Sequence, residues 1–269
     1  MKQVVDRLVI EALQKKILAL QGHKAETHQH FSIGLGLLES AFPNKVFPKA
    51  VIHELISYTS EDAACTSGFL SVVLSKLMQA GGSCLWISTV PRRSVFPPAL
   101  KAFGLDPERI LFVDAKRPKE TLWALEEALK CGALPAVVGE LNELSFNDSR
   151  RLQLAVERSQ VTGFIHRFRP KSENAVACVS RWKISALGSE FPDAKPGIGF
   201  PRWNIDLLKV RNGNPGNWQV QWSDKGFEYL EIDKPFDKLR DRIANWPFDE
   251  LRDRDEDLVA PFDRLREQG

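Results

Sequence analysis

The sequence predicts an α/β fold in which a mostly parallel sheet is flanked by helices and ends in antiparallel edge strands. Two observations predict it. From Val51 to Phe168, short apolar runs alternate with segments of helical periodicity, which is typical of βαβ units and a parallel sheet. Beyond Lys171, apolar and polar residues alternate with no helical segments between them, which is typical of antiparallel strands. A charged C-terminal tail follows.

Length and composition indicate one substantial core. The chain has 269 residues, of which 43% are hydrophobic, so the core should fold without disulfides or a metal. The formal net charge of +2 indicates neither nucleic acid nor an anionic membrane as a partner. Any basic surface is therefore confined to part of the protein. Cys65, Cys84, Cys131 and Cys178 lie far apart, with no C-x-x-C pair, and are predicted to be reduced core residues.

The first thirty residues are predicted to form an amphipathic helix and a polar linker. Val4 to Ile17 place their apolar residues mostly on one helical face. Three histidines follow, but without nearby carboxylates or cysteines they indicate no metal site, and no cofactor is assigned. Charged residues interrupt the apolar ones from Lys2 onward, and no later run approaches membrane-spanning length, so a cytoplasmic protein is expected.

Residues 31–224 are predicted to form the core domain. Parallel strands are expected at 51–56, 84–88, 110–114, 136–141 and 163–168. Helices are expected at 66–78, near 97–103, at 118–130 and at 147–159, two of them opened by a proline suited to a first helical turn. Alternating strands then follow at 179–184, around Trp203 and around Trp218, with a turn at 212–216.

The tail, residues 225–269, contains three copies of one short motif. Pro-Phe-Asp-x-Leu-Arg begins at Pro235, Pro247 and Pro261, and charged residues separate the copies. Each copy offers two apolar anchors three residues apart, which suits a short segment that binds a groove on a partner. The predicted partner-binding residues are Phe236, Leu239, Phe248, Leu251, Phe262 and Leu265. The alternative is that each copy is one helical turn folded back on its own domain.

The segment after the first strand lacks the residues of a nucleotide site. A P-loop needs G-x-x-x-x-G-K-[ST], because backbone amides, a lysine and a hydroxyl hold the phosphates and magnesium. The stretch from Ser57 to Gly68 has neither the glycine pair nor the lysine, and Glu61 and Asp62 would repel phosphate. Glu140, near the end of the fourth strand, is interpreted as a structural or interface carboxylate, because a base would need a phosphate cradle beside it. A catalytic base is the alternative.

Several segments resemble the ImuA family. They are Val51–Leu55, Leu122–Leu129, Ala136–Leu141, Ser149–Ala155 and Thr162–Phe164, within a match from about Phe31 to Trp222. ImuA proteins resemble RecA and the division inhibitor SulA, so the resemblance implies a RecA-like fold with a degenerate P-loop.

The resemblance also implies a function. It points to a non-catalytic accessory protein of an SOS-induced translesion synthesis assembly. The implied partners are an ImuB-like Y-family polymerase homologue and an error-prone replicative-type polymerase, with DNA binding and self-association left open. Two other functions also stay open: a SulA-like cell division inhibitor, and a RecA-like ATPase with an atypical nucleotide site.

The candidate DNA contacts lie in segments that follow the fourth and fifth strands of a RecA-like sheet. Arg167, Arg169 and Lys171 alternate, so an extended segment would project all three to one side, with Phe168 facing the core. On that side they would meet phosphates. The alternative is a solvated edge of the sheet.

Two helical segments supply the remaining candidates. Arg150 and Arg151 are a second pair of predicted DNA contacts, with ion pairs to local carboxylates such as Glu157 as the alternative. Trp123 shares a helical pattern with leucines and is predicted to be a core residue.

Overall fold

A computed structural model describes residues 32–89, 95–189 and 199–230. The predicted N-terminal helix and linker, and the three tail repeats with their six predicted anchors, lie outside the described residues. The division of the chain into three regions therefore stays a prediction. Among the described residues, no helix is both long and apolar enough to cross a membrane.

In the described ranges, nine strands form one sheet. They are β1 (Ile52–Ser57), β2 (Cys84–Thr89), β3 (Ile110–Ala115), β4 (Ala136–Leu141), β5 (Thr162–Phe168), β6 (Ser180–Leu187), β7 (Arg202–Val210), β8 (Gly216–Ser223) and β9 (Gly226–Tyr229). Their order across the sheet is β3-β2-β4-β5-β1-β6-β7-β8-β9. The first six strands in this order, from β3 through β2, β4, β5 and β1 to β6, are mutually parallel. The neighbouring pairs β6–β7, β7–β8 and β8–β9 are antiparallel. The predicted mixed sheet with antiparallel edge strands is confirmed.

Three α-helices cover the two faces of the parallel part. Helix α1 (Ser60–Leu77) packs on one face, and α2 (Pro118–Leu129) and α3 (Phe146–Ser159) pack on the other. Each face buries its own apolar cluster, because alternate residues of every strand point to opposite sides of the sheet. Short 3₁₀ turns lie at Gly36–Ala41, Pro43–Lys45, Pro97–Phe103 and Pro107–Arg109.

Two glycines let the α2 face pack closely on the sheet. A Cβ atom at Gly139 would lie 2.7 Å from Leu125 Cδ2 of α2. A Cβ atom at Gly163 would lie 2.4 Å from Ile52 Cδ1, on the neighbouring strand. Both distances are shorter than carbon atoms tolerate, so any larger residue here would push the helix or the strand outward.

Two predictions about α1 and α2 are wrong. Helix α1 begins at Ser60 instead of Thr66, because Thr59 and Asp62 form a capping box that starts the helix there. The sequence did not indicate this start, since the polar first turn carries no apolar periodicity. Trp123 is not in the core, since α2 buries Leu125 and Leu129 while the indole is 66% exposed. Neighbouring leucines set the buried face of a helix, and Trp123 lies outside it.

The cysteines are only partly as predicted. All four are free, and Cys84 and Cys178 are buried. Cys65 of α1 is half-buried and packs against the core, whereas Cys131 is exposed just after α2 and is not a core residue. The apolar residues before Cys131 gave no sign that the helix ends at Leu129.

Candidate functional site at the carboxyl ends of the parallel strands

The connection between β1 and α1 consists of Tyr58 and Thr59 alone. Thr59 Oγ1 accepts a hydrogen bond from the Asp62 amide at 3.0 Å, and the Thr59 amide donates to Asp62 Oδ2 at 3.4 Å. Thr59 and Asp62 therefore cap the first turn of α1 and engage the Asp62 amide. Glu61 and Asp62 also place two carboxylates in this turn, where the N-terminus of a helix would otherwise attract an anion.

A chain of buried hydroxyl and imidazole groups lies beneath this connection. Ser57 Oγ lies 2.8 Å from Thr66 Oγ1 of α1 and 2.9 Å from His166 Nε2 of β5. Burial lowers the pKa of His166 to about 4, so the ring is neutral at pH 7. Its Nδ1 has no hydrogen-bond partner within the part of the chain that the structure describes. The side chains of Ser57, Thr66 and His166 fill this part of the site.

Glu140 has a structural contact. It is 6% exposed, and its Oε1 accepts a hydrogen bond from Trp86 Nε1 at 2.9 Å. This contact agrees with the predicted structural role and joins β4 to β2 across the sheet. In the described ranges, no group of three or more His, Cys, Asp or Glu residues is placed to hold a metal ion.

A buried ion network lies on the opposite face of the sheet, between β1, β5 and β6. Glu54 is fully buried, and its two carboxylate oxygens accept from Arg167 Nη1 at 2.8 Å and from Arg181 Nε at 2.6 Å. Burial and the Glu54 carboxylate raise the pKa of the adjacent Cys178 thiol to about 12. Glu54 thus pairs with two arginines inside the protein, and Glu143 supplies a second carboxylate 3.5 Å from Arg167 Nη2.

The same arginines hold the segment between β5 and β6. Arg167 Nη2 donates to the Ser172 carbonyl oxygen at 3.1 Å, and Arg181 Nη2 donates to that of Asn174 at 2.6 Å. Glu143 Oε1 accepts from the Lys171 amide at 2.8 Å. These contacts hold residues 171–174 in the segment between β5 and β6.

The prediction that Arg167 projects into solvent is wrong. Its side chain is 0% exposed, because residue 167 still belongs to β5 and points to the buried face that carries Glu54. Arg169 and Lys171 are exposed, as predicted. Arg169 has a left-handed φ of +50°, so the chain turns there and the three side chains do not form one extended stripe.

Arg150 and Arg151 are both exposed on α3. Arg151 pairs with Glu126 of α2 and lies 3.8 Å from Asp148, so its carboxylate partners are not Glu157. Arg150 forms no ion pair with another described residue. Among the described side chains, neither of these two arginines is in direct contact with Arg169 or Lys171.

Sequence reasoning missed Tyr58 and Lys183 beside Arg169. Lys183 Nζ lies 5.6 Å from the Tyr58 ring centroid, and Arg169 Nε donates to the Tyr58 carbonyl oxygen at 3.0 Å. The hydrogen bond from the Tyr58 hydroxyl to Glu173 raises the pKa of Tyr58 to about 12. The sequence separates Tyr58 from the other two by more than 100 positions and carries no signal for their contact.

The fold defines a class of protein: an α/β domain of the RecA-like type, in which a capped two-residue connection joins β1 to α1. The crystal structure of the RadB recombinase superposes with a TM-score of 0.51, covering 74% of this chain and 99% of that one, at 16% identity. This similarity concerns the fold alone. No family model matches the chain.

Sequence relatives give the family. Protein ImuA of Caulobacter vibrioides (strain NA1000 / CB15N) is 31% identical over 207 residues, which cover 72% of this chain and 84% of that protein. The chain belongs to the ImuA family. The cell division inhibitor SulA of Photorhabdus laumondii is 31% identical over 119 residues, covering 44% of this chain and 67% of SulA. The family and the fold support an accessory role in DNA-damage mutagenesis.

Proposed function

We propose that the chain is a non-catalytic accessory protein of an SOS-induced translesion synthesis assembly in the cytoplasm. It works by binding partners and uses no cofactor. One observation carries the proposal: Thr59 and Asp62 cap α1 where a RecA-like protein would need an open, glycine-rich loop. Family membership supports the cellular role, and the capped connection supports the absence of nucleotide chemistry.

We expect no ATP hydrolysis and at best weak nucleotide binding. A bound nucleotide loses the hydration of its phosphates, and this connection has no lysine and no glycine-rich loop to replace those hydrogen bonds. Calorimetry with ATP and Mg²⁺, and a phosphate-release assay with and without DNA, test this. Glu140→Gln is the control variant, since Glu140 is the nearest candidate base and should not alter the baseline. Stimulated turnover that disappears in this variant would establish an ATPase and defeat the proposal.

The partners proposed are those of the family: an ImuB-like Y-family polymerase homologue and an error-prone replicative-type polymerase. The six tail anchors are the proposed contact residues, because the three repeats present the same apolar pair three times. No membrane partner is proposed. Capture of the ImuB-like protein by the full chain, compared with a Phe236→Ala/Phe248→Ala/Phe262→Ala variant, tests the contact.

DNA binding is proposed for the exposed part of the predicted set. Arg169 and Lys171 are accessible, and Arg150 and Arg151 remain candidates on α3. Arg167 is left out because Glu54 neutralises it inside the protein. Binding of this kind is independent of sequence and weakens with salt.

We expect Arg169→Ala/Lys171→Ala to weaken binding to DNA and to reduce the slope of log K against log salt by about one unit for each phosphate that the variant no longer touches. Fluorescence anisotropy with a labelled oligonucleotide at several salt concentrations measures it. The control variant is Lys45→Ala/Lys49→Ala, which also removes two positive charges. Both lysines precede β1, so they lie at the opposite end of the parallel strands from Arg169 and Lys171. An equal weakening in both variants would leave only a net-charge effect.

A further inference from the structure

A tyrosine lies at the carboxyl ends of three neighbouring strands. Tyr58 directly follows β1, which lies between β5 and β6 in the sheet. Arg169 directly follows β5, and Lys183 belongs to the part of β6 that pairs with β1. The carboxyl ends of parallel strands are where α/β sheets place their ligand sites. We call the surface formed by Tyr58, Arg169 and Lys183 the β1-end cluster.

Contacts within the β1-end cluster hold the tyrosine ring and the two cations together. Lys183 Nζ lies 5.6 Å from the centroid of the Tyr58 ring. Arg169 Nε donates to the Tyr58 carbonyl oxygen at 3.0 Å, and the guanidinium carbon lies 4.9 Å from the Phe168 ring centroid. The Tyr58 hydroxyl donates to Glu173 Oε1 at 2.6 Å. Because the tyrosine is held through both its hydroxyl and its backbone, little conformational freedom is lost when a ligand stacks on the ring.

The charge of this surface favours a ligand that carries phosphates. Arg169, Lys171 and Lys183 form no ion pair with another described residue. They outnumber the two carboxylates beside them, Glu143 and Glu173, which accept hydrogen bonds from the Lys171 amide and the tyrosine hydroxyl. Cations that surround an aromatic ring are typical of sites for single-stranded nucleic acid.

The acidic first turn of α1 belongs to the other side of the sheet. Trp182 and Ile184 are buried in the apolar cluster that α1 covers, so Lys183 between them points to the opposite face. Glu61 and Asp62 lie in the first turn of α1. Phosphates bound beside Lys183 are therefore on the face away from that helix and its carboxylates.

We propose that the β1-end cluster binds single-stranded DNA, with one base stacked on the Tyr58 ring and the adjacent phosphates on Lys183, Arg169 and Lys171. Every base has an aromatic face, so this contact requires an unpaired base but no particular sequence. In a duplex the bases stack on one another, and only the phosphates reach the cations. The inference rests on the proposed DNA binding by Arg169 and Lys171 and assigns that site a class of substrate.

A labelled oligothymidylate and a labelled duplex of the same length test the preference. Fluorescence anisotropy should show that the unmodified chain binds the single strand at least about tenfold more tightly than the duplex. Tyr58→Leu should weaken single-strand binding about tenfold and leave duplex binding unchanged, because the cations remain. Tyr58→Phe keeps a ring but loses the hydrogen bond to Glu173, and should bind both DNAs as the unmodified chain does.

Trp123→Leu is the matched control, since it removes an exposed aromatic ring from α2 and should bind both DNAs normally. Both Tyr58 variants lose the same hydrogen bond, so a difference in binding between them reports the ring. Equal affinity of the unmodified chain for the two DNAs, normal single-strand binding by Tyr58→Leu, or an equal loss in Tyr58→Phe would each overturn this inference while DNA binding by the cations stands. Absence of binding to either DNA would overturn the proposed DNA binding as well.

Discussion

Replacing Arg167 with alanine lowers the free energy of unfolding by about 3–5 kcal/mol, the usual cost of breaking a buried ion pair. The substitution leaves Glu54 buried with only Arg181 to compensate it, and also releases the Ser172 carbonyl oxygen. Urea denaturation followed by circular dichroism measures the change. Because Arg167 also holds the Ser172 carbonyl oxygen, limited proteolysis should cut the segment between β5 and β6 faster in the variant.

Arg151→Ala is the matched control. It also removes an arginine paired with a glutamate, but its side chain is 61% exposed. Water takes the place of the missing partner at such a position, so the expected cost is at most about 1 kcal/mol. Equal costs for the two substitutions would mean that burial of the Glu54 network has no special weight in the stability of the sheet.

Acid destabilises the fold between pH 6.5 and pH 4. Burial lowers the pKa of both His53 and His166 from 6.5 to about 4. In this range the unfolded chain binds protons that the folded chain does not, so the free energy of unfolding falls as the pH falls. The decrease is about 1.4 kcal/mol per pH unit for each histidine, and on the order of 5 kcal/mol for both by pH 4.5. Above pH 6.5 this contribution is fully present.

Denaturation midpoints between pH 7.5 and pH 5 measure the effect before the carboxylates begin to titrate. His166→Gln should remove about half of the slope, whatever it does to stability at pH 7, because one of the two proton-binding groups is gone. His53→Asn should do the same. A slope that neither substitution changes would show that other groups govern the acid sensitivity of the fold.

The sequence predicted the sheet better than it predicted the site. The apolar run Ala136–Leu141 is buried on both faces and has no alternating pattern. Its short length between two helical segments identified it as a strand. The first turn of α1 has no apolar pattern, so periodicity could not identify Thr59 and Asp62 as the cap of that helix. The sequence did offer one signal for the ion network: a glutamate, Glu54, inside an apolar strand. Such a residue is buried, as the structure shows, and a buried carboxylate needs a charged partner such as an arginine on a neighbouring strand.

Alternation in sequence could not assign the arginines. It treats Arg167 and Arg169 as equivalent, although β5 extends through the first and the chain turns at the second. Nor could helical periodicity assign Trp123, since a tryptophan beside two leucines fits the core pattern in sequence. Which residue faces outward depends on where the sheet lies, and that is a property of the whole fold.

The two-residue connection between β1 and α1 has a consequence for timing. A protein that cycles a triphosphate can couple the release of a partner to an irreversible chemical step. Under the proposed function the chain has no such step, so its complexes form and dissociate at equilibrium with the abundance of its partners. The fraction of each partner that is bound is then set by how much of the chain the cell makes and how quickly it is removed.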